Sequence, residues 1–410
     1  MKILLANKFF YLKGGSEYVF FDSAKLLESR GHKVIFFSMR HPRNFSSEYE
    51  KYFVSNVDYE SNRFKSKIDA SLKLLYSFEA KRKIEELIKK ERPDVAHLHN
   101  IYHQISPSIL HSLKKFKIPI IMTLHDYKLV CPNRSLRMNE SCCEECNKGK
   151  YFRCIINLCV SKSYIKSSLN MIEMYFHHSI LHIYELIDIF IAPSIFLKNK
   201  IEEMGFKGEI VYLPNFIHNK ELDYFCNWQD QERIILYFGR LSKIKGLLTL
   251  LEAVRGLNVE LRIVGEGPLR STLEYKVRKD QLKNVCFLGY KQGEALYNEI
   301  QKAMAVILPS EWYENSPRSI IEAFSLGKPV IGSRIGGIPE FIKDKETGLT
   351  FKPGNAEDLR TKIQFFLNNQ DITKKWGENA RKLIEEKFSE DKYYEEIMKL
   401  YKEAIRKAKQ

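Results

Sequence analysis

Two glutamates separated by seven residues, Glu314 and Glu322, lie where a polar turn leads into a predicted helix. Ser316 suits the N-cap of that helix, and Pro317 suits its first position, where the missing N–H would have had no partner. The free N–H groups and the positive dipole end of the helix form an anion site suited to a pyrophosphate. A carboxylate beside a bound phosphate must face another group, such as a sugar hydroxyl or a ribose diol. The pair therefore indicates a nucleotide sugar as the ligand.

The same residues also allow a simpler interpretation, in which Arg318 and Glu322 form an ordinary ion pair one helical turn apart. Glu314 would then be a solvated carboxylate in the preceding loop. Since carboxylates are common at helix starts, an isolated pair of this kind would not decide between the two interpretations.

A second charged pattern, GRLSKIKG, follows a predicted strand over residues 233–238. Arg240 and Lys245 offer two cations to a diphosphate leaving group, and the guanidinium can bind it bidentately. Taken alone, both would be ordinary surface cations.

Together with the segment GKPVIGSRIGGIPE, these patterns resemble the donor-binding signature of retaining GT-B glycosyltransferases of family 4. The resemblance spans nearly the whole chain and is strongest over residues 233–340. It implies that Glu314 contacts the donor sugar and that Glu322 holds the nucleotide ribose. It also implies that Arg240 and Lys245 stabilise the departing phosphate, as preorganised charges do in other enzymes.

The chain departs from the family pattern at one visible place. Members often have Phe-Gly two residues after the first glutamate, where this chain has Ser316-Pro317. Because Pro317 has no N–H, phosphate contacts would have to come from Ser316, Arg318 and Ser319. The resemblance implies four further donor-binding positions, each following a predicted strand of the second half: Gly239, Gly265, Glu266 and Tyr290.

In the first half, Gly14 and Gly15 follow a predicted strand and would let a ligand approach the backbone closely. On their own they indicate no more than a turn, but the resemblance makes Gly14 an acceptor-binding and Gly15 a donor-binding candidate. His125 and Asp126 follow another predicted strand. Alone, His125 would more often be structural; the resemblance implies that it reaches the donor sugar or the acceptor. Asp126 would orient the imidazole or contact the acceptor hydroxyl.

Strands alternate with helices in both halves, which predicts an α/β protein with doubly wound parallel sheets that bind ligands at the carboxyl ends of their strands. At 410 residues, two domains are expected. We predict an acceptor-binding domain over residues 1–213, a linker over 214–231 and a nucleotide-sugar-binding domain over 232–388. The resemblance implies the GT-B fold, two Rossmann-like domains facing across a cleft, with the last helix, residues 389–410, crossing back to the first domain.

A cysteine-rich insert over residues 131–159 interrupts the first domain and holds six of the eight cysteines. Cys143 and Cys146, spaced as C-x-x-C, could join Cys131 and Cys154 in a structural zinc site, with Cys142 and Cys159 as alternatives. Reduced packing thiols and a redox pair remain open as other interpretations. In a cytoplasmic protein, this density argues against disulfides.

The formal net charge of +15 lies mainly in the first half, where residues 1–213 hold 33 Lys and Arg against 23 Asp and Glu. A solvated face and attraction to an anionic membrane both remain open, and a basic amphipathic helix predicted over residues 67–91 fits either. No nucleic-acid motif is present. Because the apolar runs are too short for a membrane span or a signal peptide, we expect a cytoplasmic protein, with peripheral binding to the inner membrane face.

The predicted activity is transfer of a sugar, with retention, from a nucleoside diphosphate sugar to a hydroxyl of a glycan or lipid-linked acceptor in surface polysaccharide synthesis. The leaving phosphate would take the acceptor proton, and no Asp-x-Asp pattern is present to hold a catalytic metal, so no cofactor is expected beyond a possible structural zinc. Two rivals share the fold. A nucleotide-sugar 2-epimerase would release the nucleotide without an acceptor, and a non-catalytic binding protein would be expected to lack Arg240, Lys245 or Glu322.

Overall fold

The structure, a computed structural model, describes residues 1–56, 73–138, 141–218 and 233–408. The chain divides into two compact units. The first contains Met1–Asn139, Cys143–Pro214 and Tyr393–Gln410, and the second contains Glu140–Cys142 and Asn215–Lys392.

The strands before residue 214 are β1 (Lys2–Ala6), β2 (Lys33–Phe37), β3 (Val95–Leu98), β4 (Ile120–Thr123), β5 (Arg137–Met138), β6 (Ser141–Cys142), β7 (Ile189–Ala192) and β8 (Ile210–Tyr212). Six of them form one parallel sheet in the order β2-β1-β3-β4-β7-β8. Every residue of β3, β4 and β7 is buried. Such continuous burial is typical of central parallel strands that helices cover on both faces.

The helices before residue 214 are α1 (Gly15–Ser29), α2 (Phe78–Glu91), α3 (Ile109–Lys115), α4 (Arg153–Ile156), α5 (Tyr164–Tyr175) and α6 (Ile195–Glu203). The basic helix predicted over residues 67–91 is described from residue 73 onward and is interrupted before α2. Ser77 is the N-cap of α2, because its Oγ accepts the N–H of Ala80 at 3.1 Å, so a new helix begins after it. Ile84, Leu87 and Ile88 are buried, so the apolar face of α2 packs into the core.

The second unit contains β9 (Ile234–Phe238), β10 (Glu260–Val264), β11 (Val285–Gly289), β12 (Ala305–Leu308), β13 (Val330–Ser333) and β14 (Gly348–Phe351). These strands are all parallel, in the order β11-β10-β9-β12-β13-β14. The strand order reverses direction between β9 and β12. Loops that follow strands on either side of such a reversal form a crevice where nucleotides bind.

Helices cover this second sheet: α7 (Leu247–Val254), α8 (Arg270–Lys279), α9 (Glu294–Lys302), α10 (Arg318–Ser325), α11 (Ile338–Phe341), α12 (Ala356–Asn368) and α13 (Gln370–Lys387). The predicted N-cap of α10 is wrong. The helix begins at Arg318, with Pro317 in the cap position and no side-chain cap. The Ser316 hydroxyl is engaged elsewhere, accepting a hydrogen bond from Asn215 Nδ2 at 3.1 Å.

The last helix, α14 (Glu390–Lys407), belongs from Tyr393 onward to the first unit. The Tyr401 hydroxyl lies 2.8 Å from His97 Nδ1 on β3, and both side chains are fully buried. Lys407 pairs with Glu209 at 2.5 Å. The first unit is therefore completed by the end of the chain. Most of the predicted linker falls outside the described residues.

Among the residues that the structure describes, no helix is both long enough and apolar enough to cross a bilayer.

Candidate active site

Lys245 and Glu314 meet at the carboxyl edge of the second sheet. The Lys245 ammonium forms an ion pair with Glu314 Oε1, and the Ser310 hydroxyl donates to the same oxygen at 2.6 Å. Lys245 follows β9 in the chain, whereas Ser310 and Glu314 follow β12. The neighbouring positions of these strands in the sheet therefore bring together residues that are 69 positions apart in sequence.

A glycine makes this approach possible. Gly246 has a left-handed φ of 64°, and a Cβ atom at this position would lie 1.8 Å from the carbonyl oxygen of Pro309. Any other residue would push the Lys245 loop away from the turn that carries Glu314. The Glu311 N–H also donates to the Ile244 carbonyl at 2.8 Å, which fixes the two loops together.

Burial alone would raise the pKa of Glu314, but the charge of Lys245 and hydrogen bonds from Lys245 and Ser310 outweigh it, so the pKa lies below its usual value. The carboxylate is therefore ionised at neutral pH. It can accept hydrogen bonds from a ligand hydroxyl, but it has no proton to donate as a general acid.

Arg240 is exposed at the end of β9, and its backbone is fixed by a hydrogen bond from the Tyr237 hydroxyl to its carbonyl at 3.0 Å. Within the described ranges, no carboxylate pairs with its guanidinium. The loops after β9 and β10 touch, because a Cβ on Gly265 would lie 2.0 Å from the Gly239 carbonyl oxygen. Arg240 is thus held at the strand edge with its guanidinium available to an anion.

At the start of α10, Arg318 Nε donates to Glu322 Oε1 at 2.8 Å. The simple ion pair considered from the sequence is therefore present, and the ribose-binding role of Glu322 stays a prediction. The N–H groups of Arg318 and Ser319 lie in the first turn, where a helix offers no acceptor of its own. They remain candidates for a phosphate.

The remaining donor-site candidates lie after β10 and β11. Glu266 forms an ion pair with Arg270, the first residue of α8. Tyr290 is 62% exposed, and its hydroxyl lies 3.0 Å from Gln292 Oε1. The loops that carry them are joined, since the Gly265 N–H donates to the Gly289 carbonyl at 2.7 Å. The loops that carry Glu266 and Tyr290 lie on one side of the crevice. Among the described residues, neither side chain forms a hydrogen bond or an ion pair with Lys245 or Glu314.

At the carboxyl edge of the first sheet, His125 Nε2 lies 2.8 Å from His99 Nδ1, and the two rings lie nearly in one plane, with centroids 5.1 Å and planes 18° apart. The His97 ring stacks against that of His99, with centroids 4.7 Å apart. Burial lowers the pKa of His125 to about 4 and that of His97 to about 3. Burial likewise holds the pKa of His99 far below 6.5, so all three imidazoles are neutral at pH 7.

Sequence reasoning singled out His125 but missed His99 and Lys8. His99 follows β3 directly in the segment VAHLHN, and Lys8 follows β1 in LANKFF. The signal that could have found them is the one used for His125, a polar residue directly after a buried parallel strand.

Gly14 and Gly15 begin α1, with Gly14 as its N-cap. A Cβ at Gly15 would meet nothing within 4 Å, and one at Gly14 would meet Glu17 at 3.8 Å. Neither position needs glycine for packing inside the unit, and close approach of a ligand stays a prediction. Asp126 Oδ1 accepts the N–H of Lys128 at 3.0 Å, so it stabilises its own loop rather than the His125 ring.

In the cysteine-rich insert, Cys146 and Cys154 are buried against Tyr151 and Met174. Burial raises the pKa of Cys131 to about 11, so this thiol is protonated at neutral pH. Within the described residues, no group of three or more His, Cys, Asp or Glu side chains is arranged to hold a metal ion. The zinc site formed by Cys131, Cys143, Cys146 and Cys154 stays an untested prediction.

Comparison with known families settles the class of this protein. The family model described as "Glycosyltransferase Family 4" matches residues 13–221, just over half of the chain. The chain belongs to glycosyltransferase family 4. A second model, "Glycosyl transferases group 1", matches residues 219–383. The chain is therefore a glycosyltransferase, and the family resemblance stated from its motifs is confirmed, whereas the retaining mode stays a prediction.

Individual relatives agree with this. An uncharacterised glycosyltransferase of Methanocaldococcus jannaschii is 26% identical over 362 residues, covering 86% of this chain and 90% of that protein. An O-antigen chain mannosyltransferase of Escherichia coli is 28% identical over 180 residues, 43% of this chain and 48% of that protein. The crystal structure of Anabaena HepE in complex with UDP has a TM-score of 0.69 at 16% identity, covering 98% of this chain and all of that one. The predicted GT-B fold class is confirmed.

Proposed function

We propose that this family 4 member transfers a sugar, with retention and without a catalytic metal, from a nucleoside diphosphate sugar to a hydroxyl of a glycan or lipid-linked acceptor. The observation that carries the proposal is the Lys245, Glu314 and Ser310 cluster, together with the exposed Arg240 in the loop that also carries Lys245. UDP is the first nucleotide to test, because it is bound by a protein of the same fold.

In this proposal, Arg240 and Lys245 bind the diphosphate and stabilise the negative charge that develops on it as the bond to the sugar breaks. Lys245 is already held in place by Glu314, so little reorganisation is needed when the phosphate arrives. The ionised Glu314 accepts hydrogen bonds from donor-sugar hydroxyls and orients the ring. Two fixed cations supply the charge that a metal ion supplies in other transferases.

The chemical step balances without an added base. The acceptor oxygen forms its bond to the anomeric carbon on the face from which the phosphate departs, and the bond from that carbon to the phosphate oxygen breaks. The acceptor proton passes to the departing phosphate oxygen. This route retains the anomeric configuration and agrees with the absence of a proton on Glu314.

His125 acts as a hydrogen-bond donor to the sugar or the acceptor. His99 Nε2 is enclosed and has no hydrogen-bond partner among the described residues. A buried N–H without an acceptor costs more free energy than a buried ring nitrogen whose lone pair has no donor. The His99 proton therefore belongs on Nδ1, which faces His125 Nε2. His125 must then accept at Nε2 and carry its own proton on Nδ1, which is free to donate to a ligand.

The acceptor class rests on similarity and on charge. One relative acts on O-antigen chains, and the first half of this chain carries most of the positive charge. A glycan that grows on a lipid diphosphate at a membrane surface fits both observations.

The test is donor hydrolysis and transfer with a panel of UDP-sugars, comparing the wild type with Arg240→Ala and Lys245→Ala. Each variant should lose about 10²-fold or more in turnover, the size expected for one lost transition-state contact. Lys243→Ala is the matched control, since Lys243 is exposed in the same loop. Near-normal turnover of both variants, with unchanged thermal melting, would overturn the assignment.

A further inference from the structure

Lys8 is a buried cation at the carboxyl end of β1. Its side chain is 8% exposed, and its N–H donates to the Asn100 carbonyl at 2.8 Å, which fixes the backbone. In the part of the chain that the structure describes, its ammonium forms no ion pair and no hydrogen bond. It lies 5.3 Å from the centroid of the Phe9 ring. Burial, more than any neighbouring charge, lowers its pKa to about 8.

A second cation, Arg134, lies in the loop that follows β4, at the same carboxyl edge of the parallel sheet as Lys8. The charge of Arg134 is the next largest cause of the lowered Lys8 pKa, so the two positive groups repel each other. Arg134 is exposed, and no carboxylate within the described ranges pairs with it. Holding two cations together in this way is unfavourable unless something else compensates for their repulsion.

The two carboxylates in electrostatic reach do not supply that compensation. Asp126 and Glu17 both attract Lys8, but neither lies within ion-pair distance of it. Asp126 is turned to the N–H of Lys128. Glu17 accepts from Ser16 at 3.0 Å and from Asn7 at 3.4 Å. An external anion placed between the two cations would relieve the repulsion.

The loop that carries Arg134 is rigid. Its backbone is closed by bonds from the Tyr127 N–H to the Arg134 carbonyl, 3.1 Å, and from the Arg134 N–H to the Cys131 carbonyl, 2.8 Å. Beneath it, the buried Lys128 ammonium donates to the Pro132 carbonyl at 3.1 Å and to Glu173 at 2.7 Å. Lys128 thereby ties the start of the cysteine-rich insert to α5, and Arg134 is held in the loop that follows β4.

We propose that Lys8 and Arg134 bind an anionic group, a phosphate or a carboxylate, of the acceptor. Lys8 supplies a compact charge and Arg134 a planar fork for two oxygens of the same group. That the anion belongs to the acceptor rests on the proposed function; the anion site itself does not. The insert then has a role in substrate selection, because its first loop supplies half of the site.

The probes are inorganic pyrophosphate and L-malate, which distinguish a phosphate from a carboxylate source, with maltose as the uncharged control. Binding to the full chain is measured by calorimetry with and without saturating UDP. We expect one of the two anions to bind in the presence of UDP. Lys8→Met and Arg134→Met should each weaken it about tenfold or more, as expected for the loss of a charge-assisted contact. Lys8→Arg should retain binding, and Lys90→Met, at an exposed lysine of α2, should leave it unchanged.

Three results would overturn the proposal: neither anion binding to the wild type, equal binding by all variants, or loss of the site when UDP is added. The last result would assign Lys8 to the donor phosphates instead. Thermal melting of Lys8→Met shows whether lost binding results from misfolding. Lys8→Arg serves the same purpose, because it keeps the charge. Failure of the donor assignment appears separately, as donor hydrolysis that is insensitive to Arg240→Ala.

Discussion

At the carboxyl edge of the second sheet, the central charges are paired before any ligand binds, whereas at the same edge of the first sheet they are neutral or unpaired. Glu314 is buried but stays ionised because Lys245 and Ser310 hold it. His97 and His99 are buried, His125 is partly exposed, and all three imidazoles are uncharged. Lys8 is buried and forms no ion pair within the described residues. We propose that one fold thus builds two kinds of site: one prepared for developing charge, the other for hydrogen bonds and one anion.

The largest effect should come from breaking the charge pair of the second sheet. Glu314→Gln removes the counter-charge of Lys245 while conserving shape, and we expect transfer to fall about 10²-fold or more. Turnover with a UDP-sugar is the measurement, and Glu311→Gln in the same turn is the control. If the two variants behave alike, Glu314 has no special role in the reaction.

The neutral cluster of the first sheet should respond less, because only one uncharged hydrogen bond is removed. His99→Leu should lower transfer about tenfold or less. His99→Asn should restore it, since the asparagine amide can donate from the position of Nδ1. The donor KM should change little, because His99 acts through His125.

Nitrogen NMR of the imidazoles measures which ring nitrogen of His125 carries the proton. A merely structural role of His99 would not fix this tautomer. His125 should show its proton on Nδ1 and should not titrate above pH 5. A proton on Nε2 of His125 in the wild type would contradict the proposed hydrogen-bond direction.

The unpaired cation gives a smaller, pH-dependent effect. Because the pKa of Lys8 is about 8, its ammonium is charged at pH 7 and lost as pH rises above 8. A bound anion raises that pKa, so malate affinity should fall several-fold from pH 7 to pH 9 in the wild type and stay flat in Lys8→Met. The charged and titratable groups that face Lys8 are Arg134, Asp126, Glu17, Lys13 and His125. A wild-type profile as flat as that of the variant would exclude Lys8 from anion binding.

The smallest effect is expected at the membrane. Since the apolar face of α2 is buried in the core, only its cations can attract an anionic surface, at about 1 kcal/mol each. Replacing Lys81, Arg82 and Lys90 with Gln should weaken co-sedimentation with anionic vesicles at low salt. Equal, negligible sedimentation with neutral and anionic vesicles would contradict membrane binding and favour a soluble acceptor.

Much of the fold could be predicted from the sequence because buried parallel strands are continuous apolar runs. VAHL and IIMT are examples, and the polar residue after each run marks the carboxyl edge. The pairing of Lys245 with Glu314 could not be predicted from spacing alone. It depends on β9 and β12 being neighbours in the sheet, which local sequence does not encode.

Each wrong or missing prediction had a specific physical cause. Ser316 has the right residue type for an N-cap, but its hydroxyl bonds to Asn215, which only the fold brings near. The position of His99 and Lys8 after buried strands could have marked them as candidates. Their importance, however, comes from what surrounds them: a partner ring for His99, and for Lys8 burial without an ion pair among the described residues. Residue type and spacing do not report any of these.

The position of α14 has a consequence for how the protein is made. His97, in the middle of the first sheet, finds the Tyr401 hydroxyl only when the last helix is in place. On the ribosome, the first unit therefore has to wait for the whole second unit to be synthesised before its core is closed. Until then, its sheet is only partly covered and has to be protected from aggregation. A fragment that ends at the linker would never gain α14, so its sheet would stay partly exposed.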